Sequence, residues 1–255
     1  MLRRSALLAI GSTSLLSPVC AADLRALVAA VKPSVCPVGT QAPLDSPRFT
    51  FRGSGFAIGN GSLIATCWHV VRETAAAERP GLKSPAVLVP GEGGGYSLRE
   101  AELVASDPAR DLALLRIQGR SVAPLAIEAE AAAAEGTEVA LMGFPIGGAL
   151  GYRHVTHRGV ISAIVSSDLP AANARQLQQG AASRLREGQF EMLQLDATAY
   201  PGNSGGPLID VEHRKVVGIV NMVLLKGNRE SALSQPTGIT YAVPARHLAA
   251  LLGRV

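Results

Sequence analysis

Ser204 lies in the segment AYPGNSGGPLID (199–210), in which glycines stand on both sides of the serine. A serine hydroxyl acts as a nucleophile when a histidine takes its proton and an acid orients that histidine. The G-x-S-x-G pattern formed by Gly202, Ser204 and Gly206 is weak alone, because glycine-rich surface turns are common. An α/β-hydrolase elbow needs a helix after the serine. A strand, a turn and a second strand are predicted here, which excludes the elbow.

His69 and Asp111 are the residues that we expect to complete a catalytic triad. His69 ends the apolar stretch SLIATCWHVV, where a polar ring at a strand end needs a reason. Asp111 directly precedes the apolar run LALLRI, which would draw its carboxylate into the interior. Asp107 is followed by Pro108 and is typical of a turn. The sequence therefore predicts a nucleophile, a base and an orienting acid at Ser204, His69 and Asp111.

The elements that must position these residues are short and apolar. Runs such as GSGFAIG, SLIATCWHVV, LALLRI, VALMGFP and GITYAVP are separated by glycine and proline, which predicts an all-β barrel or sandwich. Two short helices are expected, LRALVAAV after Asp23 and PARHLAALL at the C-terminus. We predict four segments: a signal peptide (1–22), an N-terminal helix with the first β-rich half (23–126), a linker (127–135), and a second β-rich half with the C-terminal helix (136–255).

Residues 1–22 have the layout of a secretory signal peptide, with two arginines, an apolar stretch, and small residues at Ala21 and Ala22. We therefore expect export to the periplasm or the medium. Removing them leaves a net charge of +2 without a basic cluster, which argues against nucleic-acid binding. No later stretch reaches the ~18 apolar residues of a membrane span. We expect no stable span after cleavage.

Cysteine and histidine spacing does not predict a metal site. Cys36 and Cys67 would remain after cleavage, and the spacing leaves open whether they form a disulfide or two buried thiols. His154 and His157, three residues apart on a predicted strand, are not a convincing metal pair. We expect neither a metal nor an organic cofactor.

Seven segments together resemble the signature segments of trypsin-like (chymotrypsin-fold) serine proteases, closest to the bacterial HtrA/Deg-like branch. In chain order they are RGSGFAIGNGSLIATCWHVV, ELVASDPARDLALLRI, VALMGFPIGG, HRGVISAI, QLDATAYPGNSGGPLID, VVGIVNMV and GITYAVP. The resemblance covers roughly residues 24–248, and the order His69, Asp111, Ser204 is that of this family. It implies two six-stranded antiparallel β-barrels with a short C-terminal helix and a cleft between the barrels. His69 and Asp111 would come from the first barrel and Ser204 from the second.

The resemblance also implies how the substrate is held. The N–H groups of Gly202 and Ser204, with Asn203 between them, would form the oxyanion hole. An extended peptide would pair with the backbone of residues 221–223 as an added strand. Four residues would bind the substrate: Thr198, Asn221, Met222 and Val223. None carries a carboxylate, so we expect cleavage after small or medium aliphatic residues rather than after lysine or arginine.

The sequence departs from its relatives in two respects. HtrA/Deg-like proteins usually carry PDZ domains after the protease, whereas this sequence stops at Val255, so we expect no PDZ-mediated regulation. Cys67 and Trp68 stand where those proteins commonly have asparagines. We expect Trp68 to pack near the imidazole, and we do not expect Cys67 to be the nucleophile. The segment 169–189 is either a solvated insertion or a loop that controls activation.

The predicted function is an exported serine endopeptidase that acts through an acyl-enzyme and has polypeptides as substrates. An oligomer is possible but is not predicted. The alternative is a protease-fold protein that rests inactive and binds peptides, or acts like a chaperone, until a partner activates it. An esterase would share the same chemistry, and comparing peptide with ester turnover distinguishes the two enzymes.

Overall fold

The computed structural model describes residues 23–75, 83–91, 95–130, 133–147, 151–167, 190–221 and 238–255. The predicted signal peptide (1–22) and the segment 169–189 lie outside the described residues.

Six antiparallel strands form a first closed barrel. The strands are β1 Val35–Gln41, β2 Phe49–Ile58, β3 Leu63–Cys67, β4 Ser84–Pro90, β5 Tyr96–Asp107 and β6 Leu112–Ile117. Their order around the barrel is β1-β2-β3-β6-β5-β4, and the pairing of β1 with β4 closes it. Phe56, Ile64 and Leu114 on these strands are fully buried.

Six further strands form a second closed barrel. They are β7 Glu138–Gly143, β8 Val155–Ser166, β9 Glu191–Asp196, β10 Pro207–Asp210, β11 Val216–Asn221 and β12 Ile239–Pro244. Their order is β10-β11-β12-β9-β8-β7, and β10 closes the barrel on β7 by pairing Leu208 with Leu141. The predicted all-β class and the two six-stranded antiparallel barrels are therefore confirmed.

Within the described ranges, three α-helices of eight residues each accompany the barrels: α1 Leu24–Val31, α2 Trp68–Ala75 and α3 Ala245–Leu252. The Asp23 side chain caps α1, whose Leu27 and Val31 are buried. Helix α3 begins after Pro244, as expected, and buries Leu248 and Leu251. No helix within the described ranges is long and apolar enough to cross a membrane.

The position of His69 differs from the prediction in one respect. The apolar stretch does not run as a strand to the histidine: β3 ends at Cys67, and α2 begins at Trp68. The N–H groups of Trp68 and His69, which a helix start leaves without intrahelical partners, donate to Asp111 instead. The imidazole is therefore carried by the first turn of a helix.

Hydrogen bonds join the two barrels next to the cleft. The Tyr96 hydroxyl on β5 donates to the carbonyl of Tyr152 at 3.0 Å. His154 Nε2, just before β8, lies 2.9 Å from the carbonyl oxygen of Val35 on β1. Phe49, Phe51 and Phe144 surround these groups with ring contacts. The contacts fix the two barrels against each other on one side of the candidate site.

Candidate active site

His69 and Asp111 are in direct contact. Asp111 Oδ2 lies 2.6 Å from His69 Nδ1, and Asp111 Oδ1 accepts the His69 backbone N–H at 2.8 Å. The pairing of β3 with β6 places Cys67 opposite Leu112, so the ends of these strands bring the two residues together. Both carboxylate oxygens are engaged. The arrangement holds the ring with Nδ1 toward Asp111 and leaves Nε2 for another partner.

Asn221, at the end of β11 in the second barrel, provides a further donor to the carboxylate. Its Nδ2 donates to Asp111 Oδ2 at 2.8 Å, and the residue is buried. The sequence predicts a role for Asn221 only in substrate binding, by its backbone and at the specificity pocket, and this contact was missed. A polar residue at the end of the apolar run VVGIVN could have indicated a buried contact. The sequence does not show its partner, because Asp111 is 110 residues away.

Ser204 lies in the turn before β10 and is buried. Its carbonyl oxygen accepts the N–H of Ser54 in the first barrel at 2.8 Å. The next residue, Gly205, has a φ of +85°, and a Cβ there would lie 2.2 Å from the carbonyl oxygen of Ser54. Only glycine fits this close approach to the first barrel.

One carbonyl connects the serine turn to the histidine helix. The Val220 carbonyl oxygen accepts the N–H of Gly205 at 2.8 Å and the thiol of Cys67 at 3.4 Å. Gly205 follows Ser204, and Cys67 lies two residues before His69. The structure thus brings the neighbourhoods of all three predicted catalytic residues to one place between the barrels.

Gly202 has a backbone conformation that other residues rarely adopt. Its φ is +106°, and a Cβ would lie 2.3 Å from the carbonyl oxygen of Phe144. The Pro201 carbonyl oxygen accepts the N–H of Ile146 at 2.9 Å. In a trans peptide the C=O and N–H groups point in opposite directions, so the Gly202 N–H points away from Ile146.

Asn203 is buried beneath this turn. Its N–H donates to the carbonyl of Tyr200 at 3.0 Å, and its carbonyl accepts the N–H of Gly206 at 2.9 Å. Within the part of the chain that the structure describes, neither polar atom of its side chain has a hydrogen-bond partner. A buried, unpaired amide of this kind costs about 1–3 kcal/mol. The contacts that Asn203 makes in the turn are therefore those of its backbone.

Ser54, on β2 of the first barrel, supports the turn and was missed by sequence analysis. Its hydroxyl donates to the Gly202 carbonyl at 2.6 Å and accepts the Phe144 N–H at 3.0 Å. The flanking glycines were the available signal. A Cβ at Gly53 would lie 2.8 Å from the Ser204 carbonyl oxygen, so small residues here allow the two barrels to approach.

The remaining predicted substrate-binding residues are placed only in part. Thr198 is half-buried just after β9. Met222 and Val223 lie outside the described residues. The contacts of these three residues with a substrate stay a prediction.

Cys36 and Cys67 are both free and buried. Burial raises the pKa of the Cys36 thiol to about 12. Burial, with the negative charge of Asp111, also raises the pKa of Cys67 well above its ordinary value. Both thiols therefore stay protonated at neutral pH, whereas a cysteine nucleophile needs the thiolate.

Among the described residues, one group could hold a metal ion: Cys67, His69 and Asp111.

Comparisons with known proteins agree with this architecture. A family model described as the trypsin-like peptidase domain matches residues 53–219, more than half of the chain. The chain is 28% identical over 194 residues to "Protease Do-like 5, chloroplastic" of Arabidopsis thaliana, covering 75% of this chain and 53% of that protein. It is also 28% identical over 197 residues to the "Probable periplasmic serine endoprotease DegP-like" of Pseudomonas fluorescens, covering 75% of this chain and 32% of that protein.

The crystal structure of Deg5 has the same fold, with a TM-score of 0.63 at 23% identity, covering 89% of this chain and 90% of that one. The chain spans between about a third and a half of the length of the two curated relatives. The matched residues 53–219 include His69, Asp111 and Ser204. The chain therefore belongs to the trypsin-like peptidase family, and its relatives are of the HtrA/Deg type.

Proposed function

We propose that the protein is an exported serine endopeptidase that hydrolyses peptide bonds through a Ser204–His69–Asp111 triad. One observation carries the proposal: the 2.6 Å contact between His69 Nδ1 and Asp111 Oδ2, next to the serine turn. In acyl transfer, an acid held on Nδ1 fixes the tautomer whose Nε2 accepts the proton of the nucleophile. This family's chemistry needs no metal or organic cofactor.

The proposed reaction has two halves. His69 Nε2 takes the proton of the Ser204 hydroxyl while the oxygen attacks the peptide carbonyl, and it then gives that proton to the leaving amine. Water, deprotonated by the same nitrogen, hydrolyses the acyl-enzyme and restores the serine. Asp111 orients the ring and stabilises its charged form throughout. The donors from His69 and Asn221 hold the Asp111 carboxylate in place for this role.

The oxyanion hole would be formed by the N–H groups of Gly202 and Ser204, with Asn203 between them. The direction of the Gly202 N–H, opposite to the bonded Pro201 carbonyl, supports a turn that is ready to bind an oxyanion. Such a donor contributes about 10²–10³ in rate. The alternative is a peptide-binding protein that rests inactive until a partner arrives.

The proposed substrate is an extended polypeptide that pairs with the backbone of residues 221–223. Thr198, Asn221, Met222 and Val223 would border the pocket for the residue before the scissile bond. Because none of them carries a negative charge, we propose that this residue is small or medium aliphatic. A peptide library in which cleavage follows lysine or arginine would contradict this preference.

The proposed location is the periplasm or the medium. The layout of residues 1–22 supports export, and one relative carries "periplasmic" in its name. The proposed division of the chain is a signal peptide (1–22), a first half (23–126), a linker (127–135) and a second half (136–255). N-terminal sequencing of the protein recovered from the periplasm tests the cleavage after Ala21 or Ala22.

Peptide hydrolysis tests the proposed activity. We expect the purified protein to cleave an unstructured polypeptide, and we expect Ser204→Ala and His69→Ala each to reduce the rate to background. Ser162→Ala is the matched control, because Ser162 is an exposed serine whose hydroxyl donates to Gln194 on the neighbouring strand. Cleavage that persists in Ser204→Ala would exclude Ser204 as the nucleophile.

A further inference from the structure

The proposed mechanism leaves one group beside the triad unused, the thiol of Cys67. One ligand atom each from Cys67, His69 and Asp111 can be chosen so that the three atoms lie within 4.8 Å of one another. A sulfur, an imidazole nitrogen and a carboxylate oxygen are the ligand types that zinc binds in proteins. The cluster therefore has the composition of a zinc site, although its His69 and Asp111 members also belong to the triad.

The geometry allows a cation to reach these atoms. Cys67 is fully buried at the bottom of the cluster, whereas the side chains of His69 and Asp111 are 12% and 20% exposed. A cation would therefore approach from the side of His69 and Asp111. Zinc bonds of about 2.0–2.3 Å require tetrahedral ligands to lie roughly 3.5 Å apart. The closest pair is 2.6 Å apart and would have to open by about 0.9 Å, whereas the widest pair is within 4.8 Å and would have to close by at most about 1.3 Å to reach this spacing.

The bonds that a cation would replace are few. The Cys67 thiol donates to the Val220 carbonyl at 3.4 Å, and a thiol is a weak donor. The contacts of Asp111 Oδ2 with His69 Nδ1 and with Asn221 Nδ2 would also open. Asp111 would keep the His69 backbone N–H on its other oxygen, so the loop need not move.

We propose that a zinc-type divalent cation binds Cys67 Sγ, His69 Nδ1 and one Asp111 oxygen, and thereby inhibits the peptidase. Inhibition rests on the proposed function, whereas binding does not. The Cys67 thiol loses its proton to solvent as the metal–sulfur bond forms, with no change of oxidation state. A metal on Nδ1 places the remaining ring proton on Nε2, so this nitrogen no longer accepts the proton of Ser204. The base is removed without blocking the cleft.

Binding at this site is reversible. Three protein ligands leave a fourth position to water, as in open rather than structural zinc sites. The His69–Asp111 contact also competes with the metal. A chelator should therefore restore activity fully. In environments rich in zinc-type metals, the site would lower the rate of peptide hydrolysis.

The chain contains both a control and a reporter. Cys36 on β1 is a second buried, free thiol, and it is not part of the metal-binding group. Trp68, the only tryptophan in the sequence, lies between two of the proposed ligands. A metal bound there should alter its fluorescence. All proteins in the test carry Cys20→Ala, so that two thiols remain.

The first experiment measures peptide hydrolysis against the concentration of free Zn²⁺. We expect inhibition that a chelator reverses, and we expect Cys67→Ala to need at least about tenfold more Zn²⁺, as for the loss of a metal ligand or its partner. Cys67→Ser is a second variant in case the alanine form does not fold. Cys36→Ala should be inhibited like the parent protein. Equal inhibition of the parent and a folded Cys67 variant, or no inhibition of an active parent, would overturn the proposal.

The second experiment measures binding without activity. Cd²⁺ is added to the Ser204→Ala protein while the ultraviolet sulfur-to-metal absorption and the Trp68 emission are followed. We expect both signals in Ser204→Ala and in Ser204→Ala/Cys36→Ala, and neither in Ser204→Ala/Cys67→Ala. If these signals appear but the parent protein, with Ser204 intact, does not hydrolyse peptides, the metal site is retained and the proposed function is rejected. Their absence, or their persistence without Cys67, would overturn the metal site whatever the activity.

Discussion

Asp111 has the most constrained side chain in the candidate site. Its two oxygens receive the His69 backbone N–H, the His69 ring nitrogen contact and the Asn221 amide. Its φ of +55° is unusual outside glycine but is tolerated by aspartate. The carboxylate is thus fixed by residues from both barrels, and its orientation depends on how they meet.

Asn221→Ala tests this dependence. The change removes one donor to Asp111, and a hydrogen bond to a charged group contributes about 1.5–3 kcal/mol. We expect kcat to fall roughly 10- to 100-fold with KM little changed, because the orientation of the base matters most in the transition state. Steady-state kinetics on one peptide substrate measure both constants. A higher KM at unchanged kcat would instead indicate that Asn221 acts only in substrate binding.

Ser54→Ala tests the support of the oxyanion turn. The change leaves the Gly202 carbonyl and the Phe144 N–H without the Ser54 hydroxyl, and the turn loses its fixed position. We expect kcat to fall about tenfold or more, since about 1.4 kcal/mol in the barrier is a factor of ten. The matched control is Thr240→Val, which removes a buried hydroxyl donating to the Ala197 carbonyl at 2.6 Å. If both variants lose stability and activity equally, Ser54 has only a structural role.

At the scale of elements, the local sequence predicts the strands, but the start of α2 depends on a contact with a distant residue. Alternating short runs and turn residues were enough to predict the strands, and the ordered segments were enough to predict two barrels. The change from β3 to α2 at Trp68 was missed, because the apolar run SLIATCWHVV continues through it without a break. The helix start depends on Asp111, which accepts its first N–H groups and lies 42 residues away.

The state of the cysteines also follows from the strand order. Cys36 is on β1 and Cys67 on β3, with β2 paired between them. Strands two positions apart are separated by roughly 10 Å, beyond the reach of a disulfide. Spacing in the sequence could not exclude the bond, because it does not give the order of strands. The contacts of Ser54 and Asn221 were missed for the same reason.

Gly202→Ala tests the serine turn as an element. Both the φ of +106° and the 2.3 Å approach to the Phe144 carbonyl oxygen exclude a Cβ, so the turn must change. We expect activity to fall about 10²–10³-fold through loss of one oxyanion donor. Gly136→Ala is the matched control, because its φ is +86° and no atom lies within 4 Å of the added Cβ.

The two glycine variants are compared by thermal unfolding and by peptide hydrolysis. Gly136→Ala should cost about 1 kcal/mol in stability and leave the rate unchanged. Gly202→Ala with full activity would contradict the assignment of its N–H to the oxyanion hole.

At the scale of the whole molecule, three partly buried histidines make stability depend on pH. Burial lowers the pKa of His154 at the junction of the barrels and that of His157 on β8. Burial, with the charges of Arg110 and Arg246, lowers the pKa of His247 to about 4, against the weaker pull of Asp107 and Glu191. Near pH 6.5 and below, these histidines therefore bind protons in the unfolded chain but not in the folded protein.

We expect the free energy of unfolding to decrease as the pH falls from about 7 to about 4. For His247 alone, the loss is about 1–2 kcal/mol after allowance for its partial exposure. His247→Gln should flatten this dependence in urea unfolding measured across the range. His213→Gln is a control of opposite sign: Asp210 raises the pKa of exposed His213, so protonation of this ring favours the folded protein at low pH, and its loss should not flatten the dependence but slightly steepen it. An unchanged slope in His247→Gln would show that this ring is solvated.

The central claim is that the triad and the oxyanion hole are assembled in the protein at rest. Reaction of the purified protein with a fluorophosphonate, followed by mass spectrometry, tests it most directly, with Ser204→Ala as the control. We predict a single adduct on Ser204 and none in the variant. A folded protein that takes no label, or that is labelled equally in Ser204→Ala, would contradict the account.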